Sequence, residues 1–256
     1  MNITKKALIL STLSATLGLQ TAQATSSFSS TSMVSVTIDS ITNTTNAGDL
    51  SGISITEGFW IDNTLSDEGF GKTVVGNANS SYFHSGDWQD DTDGSIATGG
   101  SLSQSFSATG TATNGEVNSN YFSFGNVWFA NNSADEYTIN YSINYLLAAN
   151  ATGESANSSV ALSYFNELGD FDEYTEATAS TLLNTSDFKS STDNTLLTSF
   201  SLELGAFEED IFYADVSITG YAEAKAAEVA PVPVPAAGWL MLSSLVFLRN
   251  FRRSSI

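Results

Sequence analysis

Cysteine is absent from the 256-residue chain, which removes disulfides, thiolate metal sites and cysteine nucleophiles together. Export stays open, because a domain of this length can be held by its core alone. Proline is nearly absent too: Pro231, Pro233 and Pro235 are the only three, and they crowd into one short stretch. Histidine occurs once, as His84. Positive charge is scarce, with 8 basic against 28 acidic residues. Between Thr25 and Ala230 only Lys72, Lys189 and Lys225 are basic, while all 28 acids lie there, leaving a formal charge of −25. A surface that negative repels phosphate backbones and excludes nucleic acid as a partner. It suits a medium whose cations screen the self-repulsion.

What the chain does have is apolar mass. Hydrophobic residues make up 41%, including 16 Phe, 9 Tyr and 4 Trp, enough to build a core and exclude wholesale disorder. From Thr25 to Ala230 they recur with period two. Val34, Val36 and Ile38 alternate with Ser35 and Thr37, and Tyr137, Ile139, Tyr141, Ile143 and Tyr145 alternate with Thr138, Asn140, Ser142 and Asn144. Val160, Leu162 and Tyr164 follow, then Phe212, Ala214, Val216 and Ile218 against Tyr213, Asp215 and Ser217. Such alternation with β-branched and aromatic residues marks half-buried strands. Turn chemistry separates them at Asn46–Asp49, Asp93-Gly94, Thr98–Gly100 and Asn150–Gly153. Asn114-Gly115 is read as a type I′ hairpin turn between two strands. The expectation is an all-β domain over 25–227, an antiparallel β-sandwich of jelly-roll type. Tyr221 to Ala230 is either a short charged helix or the frayed end of the last strand.

The two ends carry targeting chemistry. Lys5 and Lys6 precede an apolar run from Ala7 to Leu19, and Ala22-Gln23-Ala24 is a small-x-small box. That order is a secretory signal peptide over 1–24, cleaved after Ala24. At the other end, 228–235 is a proline spacer, extended because alternating prolines deny a sheet its donors. The segment 236–256 is an apolar helix, with Trp239 near its entry and Arg249, Arg252 and Arg253 behind it, positioned to stay cytoplasmic. Its apolar run, Ala236 to Leu248, is short against the roughly 20 residues of a stable span.

The order Val232-Pro233-Val234-Pro235-Ala236-Ala237-x-Trp239, an apolar helix and a terminal arginine cluster resembles a PEP-CTERM sorting signal. It is nearest to the variant whose motif reads Val-Pro-Leu-Pro-Ala. Val234 stands where that variant has leucine, and Asn250 and Phe251 interrupt the arginines. The resemblance implies a protein exported by a Gram-negative bacterium and processed by an exosortase, a membrane cysteine protease. Its partners would be the export machinery and that exosortase, with membrane contact through the C-terminal segment.

Signs of chemistry are thin. His84 has no second histidine beside it and no Gly-x-Ser-x-Gly elbow elsewhere, so a catalytic triad has little to build on. Asp87, Asp90, Asp91 and Asp93 with Gly94 offer calcium-type oxygen donors, but the spacing is not that of an EF-hand. The alternatives are a calcium loop and a solvated turn. Asp170–Glu173 and Glu208–Asp210 read the same way. No other cofactor is expected. Trp60, Tyr82, Trp88 and Trp128 are aromatics near turns that could stack on sugars or fill the core. The leading expectation is a non-enzymatic structural or interaction protein of the cell surface or extracellular matrix. A carbohydrate-binding module for extracellular polysaccharide, calcium-dependent or not, and a secreted hydrolase are the alternatives.

Overall fold

The structure is a computed structural model, and it describes residues 24–62, 71–86, 97–190 and 198–225. Ala22 of the cleavage box, the acidic loop with Asp87, Asp90, Asp91 and Asp93, and the tail with Val232 to Ala237, Trp239, Arg249, Arg252 and Arg253 lie outside the described residues. So do Trp88 and the expected C-terminal helix. Among the described residues no helix is long and apolar enough to cross a membrane.

The compact unit Ala24–Lys225 is all-β. Its ten strands are β1 (Ser26–Asn43), β2 (Ile53–Asp62), β3 (Gly71–Gly86), β4 (Ser101–Asn131), β5 (Tyr137–Thr152), β6 (Ser155–Asn166), β7 (Asp172–Ser180), β8 (Asp187–Ser190), β9 (Thr198–Leu204) and β10 (Glu209–Ala224). They form one antiparallel hydrogen-bonded sheet ordered β7-β6-β10-β4-β1-β5-β8. β2 and β3 also pair with β4, and β9 with β5. Tyr221 to Ala224 continues β10 as strand, so this part of the patch is not helical.

Strand β4, 31 residues long, organises the sheet. β2 and β3 follow one another along one of its edges, while β10 takes the C-terminal half of the other edge and β1 the N-terminal half. The expected hairpin turn at Asn114-Gly115 does not form, and β4 runs straight through it. The dipeptide instead marks a corner. Asn77 pairs with Asn114 but Ala78 pairs with Ala112, so Thr113 is an extra residue on β4. One extra residue exchanges the faces of a strand. Accordingly the buried set is Leu102, Gln104, Phe106, Ala108, Gly110 and Ala112 before the corner, and Val117, Ser119, Tyr121, Ser123, Gly125, Val127 and Phe129 after it.

The bend at this corner is sharp. Lys72 Nζ donates to the carbonyl oxygen of Ser80, eight residues along β3, at 2.6 Å. In a straight strand those residues would be about 26 Å apart, far beyond a lysine's reach. Gly76 supplies the turn with φ +70°, a left-handed conformation that favours glycine. The folded hairpin brings Ser80 Oγ within 2.7 Å of Ser119 Oγ and 3.1 Å of Tyr121 Oη.

Curling closes strands over one another that share no ladder. Ser30 of β1 meets Ser158 of β6 through their hydroxyls at 2.5 Å, and Ser158 also donates to the Ser29 carbonyl. The enclosed core tapers. At one end it is built of large rings: Tyr141 lies 5.2 Å from Phe129 and 5.4 Å from Phe200, and Phe171 lies 4.1 Å from Phe200. Toward the other end it narrows to Ala108, Ala112, Ala156, Ala179, Ala222, Ser26, Ser30 and Ser158. Phe28 is the large ring at this narrow end, lying against Gly110 of β4 and Gly220 of β10.

Candidate functional site: an aromatic outer face

The outward side of the sheet formed by β4, β10, β6 and β7 is not the polar surface that a half-buried sheet ordinarily shows. Register decides which side chains meet there. Phe124 pairs with Asp215, Asp215 with Ser163, and Ser163 with Tyr174, giving one row across four strands. The next row runs Asn126, Tyr213, Phe165 and Asp172. Phe122 and Trp128 lie in the rows beyond these, opposite Ser217 and Ile211. Side chains two apart share a face, so these residues form one continuous patch. Trp60 of β2 stands opposite Phe124 in the backbone register.

The rings form two pairs. Phe122 and Phe124 meet edge to face at 4.2 Å, and Phe165 stacks on Tyr213 at 4.9 Å with 23° between planes. Trp128 and Tyr174 flank them, 42% and 64% exposed, and Phe124 is 39% exposed. Each flanking ring has a carboxylate handle. Trp128 Nε1 donates to Glu209 at 3.2 Å. Tyr174 Oη donates to Glu176 at 3.1 Å, and Glu176 also accepts from the Ser159 hydroxyl at 2.6 Å.

Asp215 sits between the two ring pairs. Its Oδ1 is buried and has no hydrogen-bond partner. Burial among the rings pushes its carboxyl up to about 6. The neighbouring Tyr213 hydroxyl is raised as well, by burial first and then by Glu167, Asp215 and Asp210. A carboxyl held above its ordinary value binds its proton more tightly when folded than when unfolded. Its stabilising share is therefore complete at low pH and lost as pH rises from 3.8 to about 6. Asp215→Asn removes that loss. The full shift would be worth roughly 3 kcal/mol, which solvent screening of this part-exposed group cuts to about 1. The variant is expected to unfold at higher urea than the wild type at neutral pH and at equal urea near pH 3.5, measured by paired denaturation curves.

The residues singled out in the sequence scatter with respect to this patch. Trp128 belongs to it. Tyr82 does not: its ring packs 5.2 Å from Tyr121 and 6.2 Å from Phe106, on the other face of the sheet. His84 stands opposite Phe106 on that same face, half-buried, and burial lowers its pKa. Of the acids in Asp170–Glu173 and Glu208–Asp210, one from each group, Asp170 and Asp210, comes together through Asn166. Its amide nitrogen donates to Asp170 and to the fully buried Asp210 at 3.0 Å each, and Asp210 also accepts the Leu168 N–H. These two carboxylates serve as loop struts, and among the described residues no group of three or more histidines or acids is placed to hold a metal ion.

No family model matches the chain, and no curated protein is similar to it. The patch is therefore read from its own chemistry. Flat aromatic rings offer apolar faces at little conformational cost, and the carboxylates between them accept hydrogen bonds from hydroxyl donors. Asp215, Tyr213, Phe165 and Tyr174 were missed in the sequence. The usable sign was an aromatic, Tyr213, on the polar side of a strand whose other side is Phe212, Ala214, Val216 and Ile218.

Proposed function

We propose that the protein is an exported, non-enzymatic binding protein of the cell surface or extracellular matrix, whose aromatic outer face holds extracellular polysaccharide. The observation that carries the reading is the pair of ring pairs, Phe122–Phe124 and Phe165–Tyr213, flanked by exposed Trp128 and Tyr174, with the half-buried Asp215 between them, its buried Oδ1 without a hydrogen-bond partner. The rings would stack on the C–H faces of sugar units, and Asp215 would accept hydrogen bonds from their hydroxyls. The charge of −25 between Thr25 and Ala230 makes an uncharged or amino-sugar polymer the fitting class, because an anionic one would be repelled. No bound calcium is needed for this mode of contact. We also read the curled sheet as a two-layered, jelly-roll-like sandwich. Supporting this are the folded β3–β4 hairpin and the contact of Ser30 with Ser158 across the interior.

Export and sorting rest on the two ends of the sequence. The signal peptide over 1–24 delivers the chain, and the PEP-CTERM-like tail hands it to an exosortase. Intact mass of the protein recovered from its host checks this: a chain beginning at Thr25 and ending within Val232 to Ala237 is expected. A chain that keeps Arg253 and fractionates with membranes would replace sorting by a plain anchor.

Binding has its own check. Depletion of the mature protein by insoluble neutral and amino-sugar polysaccharides is expected for at least one of them. Each lost stacking platform should cost on the order of 1 kcal/mol, so Trp128→Ala with Tyr174→Ala should weaken retention about tenfold or more. Both side chains are exposed, so the melting temperature should stay within a few degrees of wild type. Equal retention of wild type and double variant would retire the outer face as the site.

A further inference from the structure

We propose that the outer face seats a protonated amine, and that its occupant is a polysaccharide carrying free amino groups. Such a ligand narrows the outer-face reading above and rests on it. Register surrounds Asp215 with small residues and rings. Ser163 is its partner on β6, and the next row holds Ser217 and Ala161 between Phe122 and Glu176. Phe124 and Tyr174 close the two ends of its own row, and Tyr213 and Phe165 stand in the row on its other side.

A half-buried carboxylate in such a place is costly without a counter-charge. The body of the chain supplies none. Between Thr25 and Ala230 its only basic side chains besides His84 are Lys72, Lys189 and Lys225. Lys72 is engaged by the Ser80 carbonyl of its own strand, Lys189 by Asp187 and Lys225 by Glu223. His84 lies on the other face of the sheet, opposite the buried Phe106. A cation for Asp215 therefore comes from outside.

The surroundings choose which cation. Calcium wants six or more oxygen donors, and here a single carboxylate stands among rings. An ammonium fits, because ring faces attract a cation and the carboxylate pairs with it. An amino sugar presents both chemistries at once, its C–H faces to the rings and its ammonium to Asp215. Net charge acts in the same direction, since −25 draws a polycation and repels a polyanion. Asp172 and Glu176 of β7 add two carboxylates at the margin.

The experiment is depletion of the mature protein by chitin and by its de-acetylated form, chitosan, at near-neutral pH. Moderate salt screens the bulk attraction. Retention on chitosan about tenfold or more above that on chitin is expected. Asp215→Asn keeps the shape, loses the charge and should erase most of that preference. Glu154→Gln, at an exposed acid of the β5–β6 turn, removes the same charge and should leave the preference in place. Equal retention on both polymers, lost on combining Trp128→Ala with Tyr174→Ala, would overturn the amine seat and leave the outer-face reading standing. A preference reduced equally by Asp215→Asn and Glu154→Gln would be bulk charge, and would overturn the seat as well. Retention on neither polymer would also overturn it, and the neutral polysaccharides then decide the outer face by themselves.

Discussion

Phe28→Ala is expected to cost the fold about 3–5 kcal/mol, the range for deleting a buried phenylalanine. Phe28 is 2% exposed and is the one large ring at the narrow end of the core. Its surroundings are alanines and serines held by backbone pairing, and these cannot move in to fill the space. The reciprocal change is informative. A methyl group added at Gly110 or at Gly220 would overlap the Phe28 ring. Each glycine-to-alanine change alone should therefore cost about 1–3 kcal/mol through overpacking. Combined with Phe28→Ala, Gly220→Ala puts its methyl into the vacated space. The double variant should be less destabilised than the two single costs predict, by about 1 kcal/mol. Urea midpoints of the four proteins give the cycle directly, and strict additivity would show that the ring and the glycine do not share that space.

Gly76→Val is the second large effect. Gly76 has φ +70°, and a side chain there would press on the backbone carbonyl oxygen of Asn114. The left-handed conformation alone costs an L-residue roughly 1–2 kcal/mol. A clash with backbone adds to it, because a peptide oxygen in a paired strand cannot swing away as a side chain can. About 3 kcal/mol or more is expected in total. Gly48→Ala is the matched control, with φ +90° and open space around the added methyl. It should cost only the conformational part, about 1–2 kcal/mol. Equal losses at the two positions would mean that the corner is not the crowded, sharply folded element described above.

How much of this is legible in the sequence varies by element. Tyr137 to Tyr145 reads as a strand without ambiguity, because an uninterrupted alternation of rings and β-branched residues against Thr, Asn and Ser has one low-energy arrangement. The all-β class follows from such runs. Asn114-Gly115 misleads, because the same two residues that suit a tight turn also suit a bulged corner. What separates the outcomes is the pairing of β3 along both halves of β4, a long-range fact. The outer face fails to show for a related reason. Phe124, Asp215, Ser163 and Tyr174 are distant in sequence and become neighbours only through the registers of three ladders. No local pattern contains them. The tapered core was out of reach too, since Phe28 looks like any other aromatic until Gly110 and Gly220 are placed beneath it.

The outer face also explains an economy in the fold. Asp215 costs stability at neutral pH, and an asparagine would fill its place without that cost. On the proposed reading the same carboxylate accepts hydrogen bonds from bound sugar. Asp215→Asn should therefore gain stability while losing polysaccharide retention, two opposite changes from one substitution.

Hydroxyl-radical footprinting of the mature protein, with and without the polysaccharide that depletes it, tests the central claim most directly. It reports aromatic exposure residue by residue. The account predicts protection of Trp128, Tyr174 and Phe124 on bound sugar. Phe207, 71% exposed on the β9–β10 turn, should stay reactive. Protection of Phe207 with Trp128 and Tyr174 unchanged would contradict it and move binding off the aromatic face.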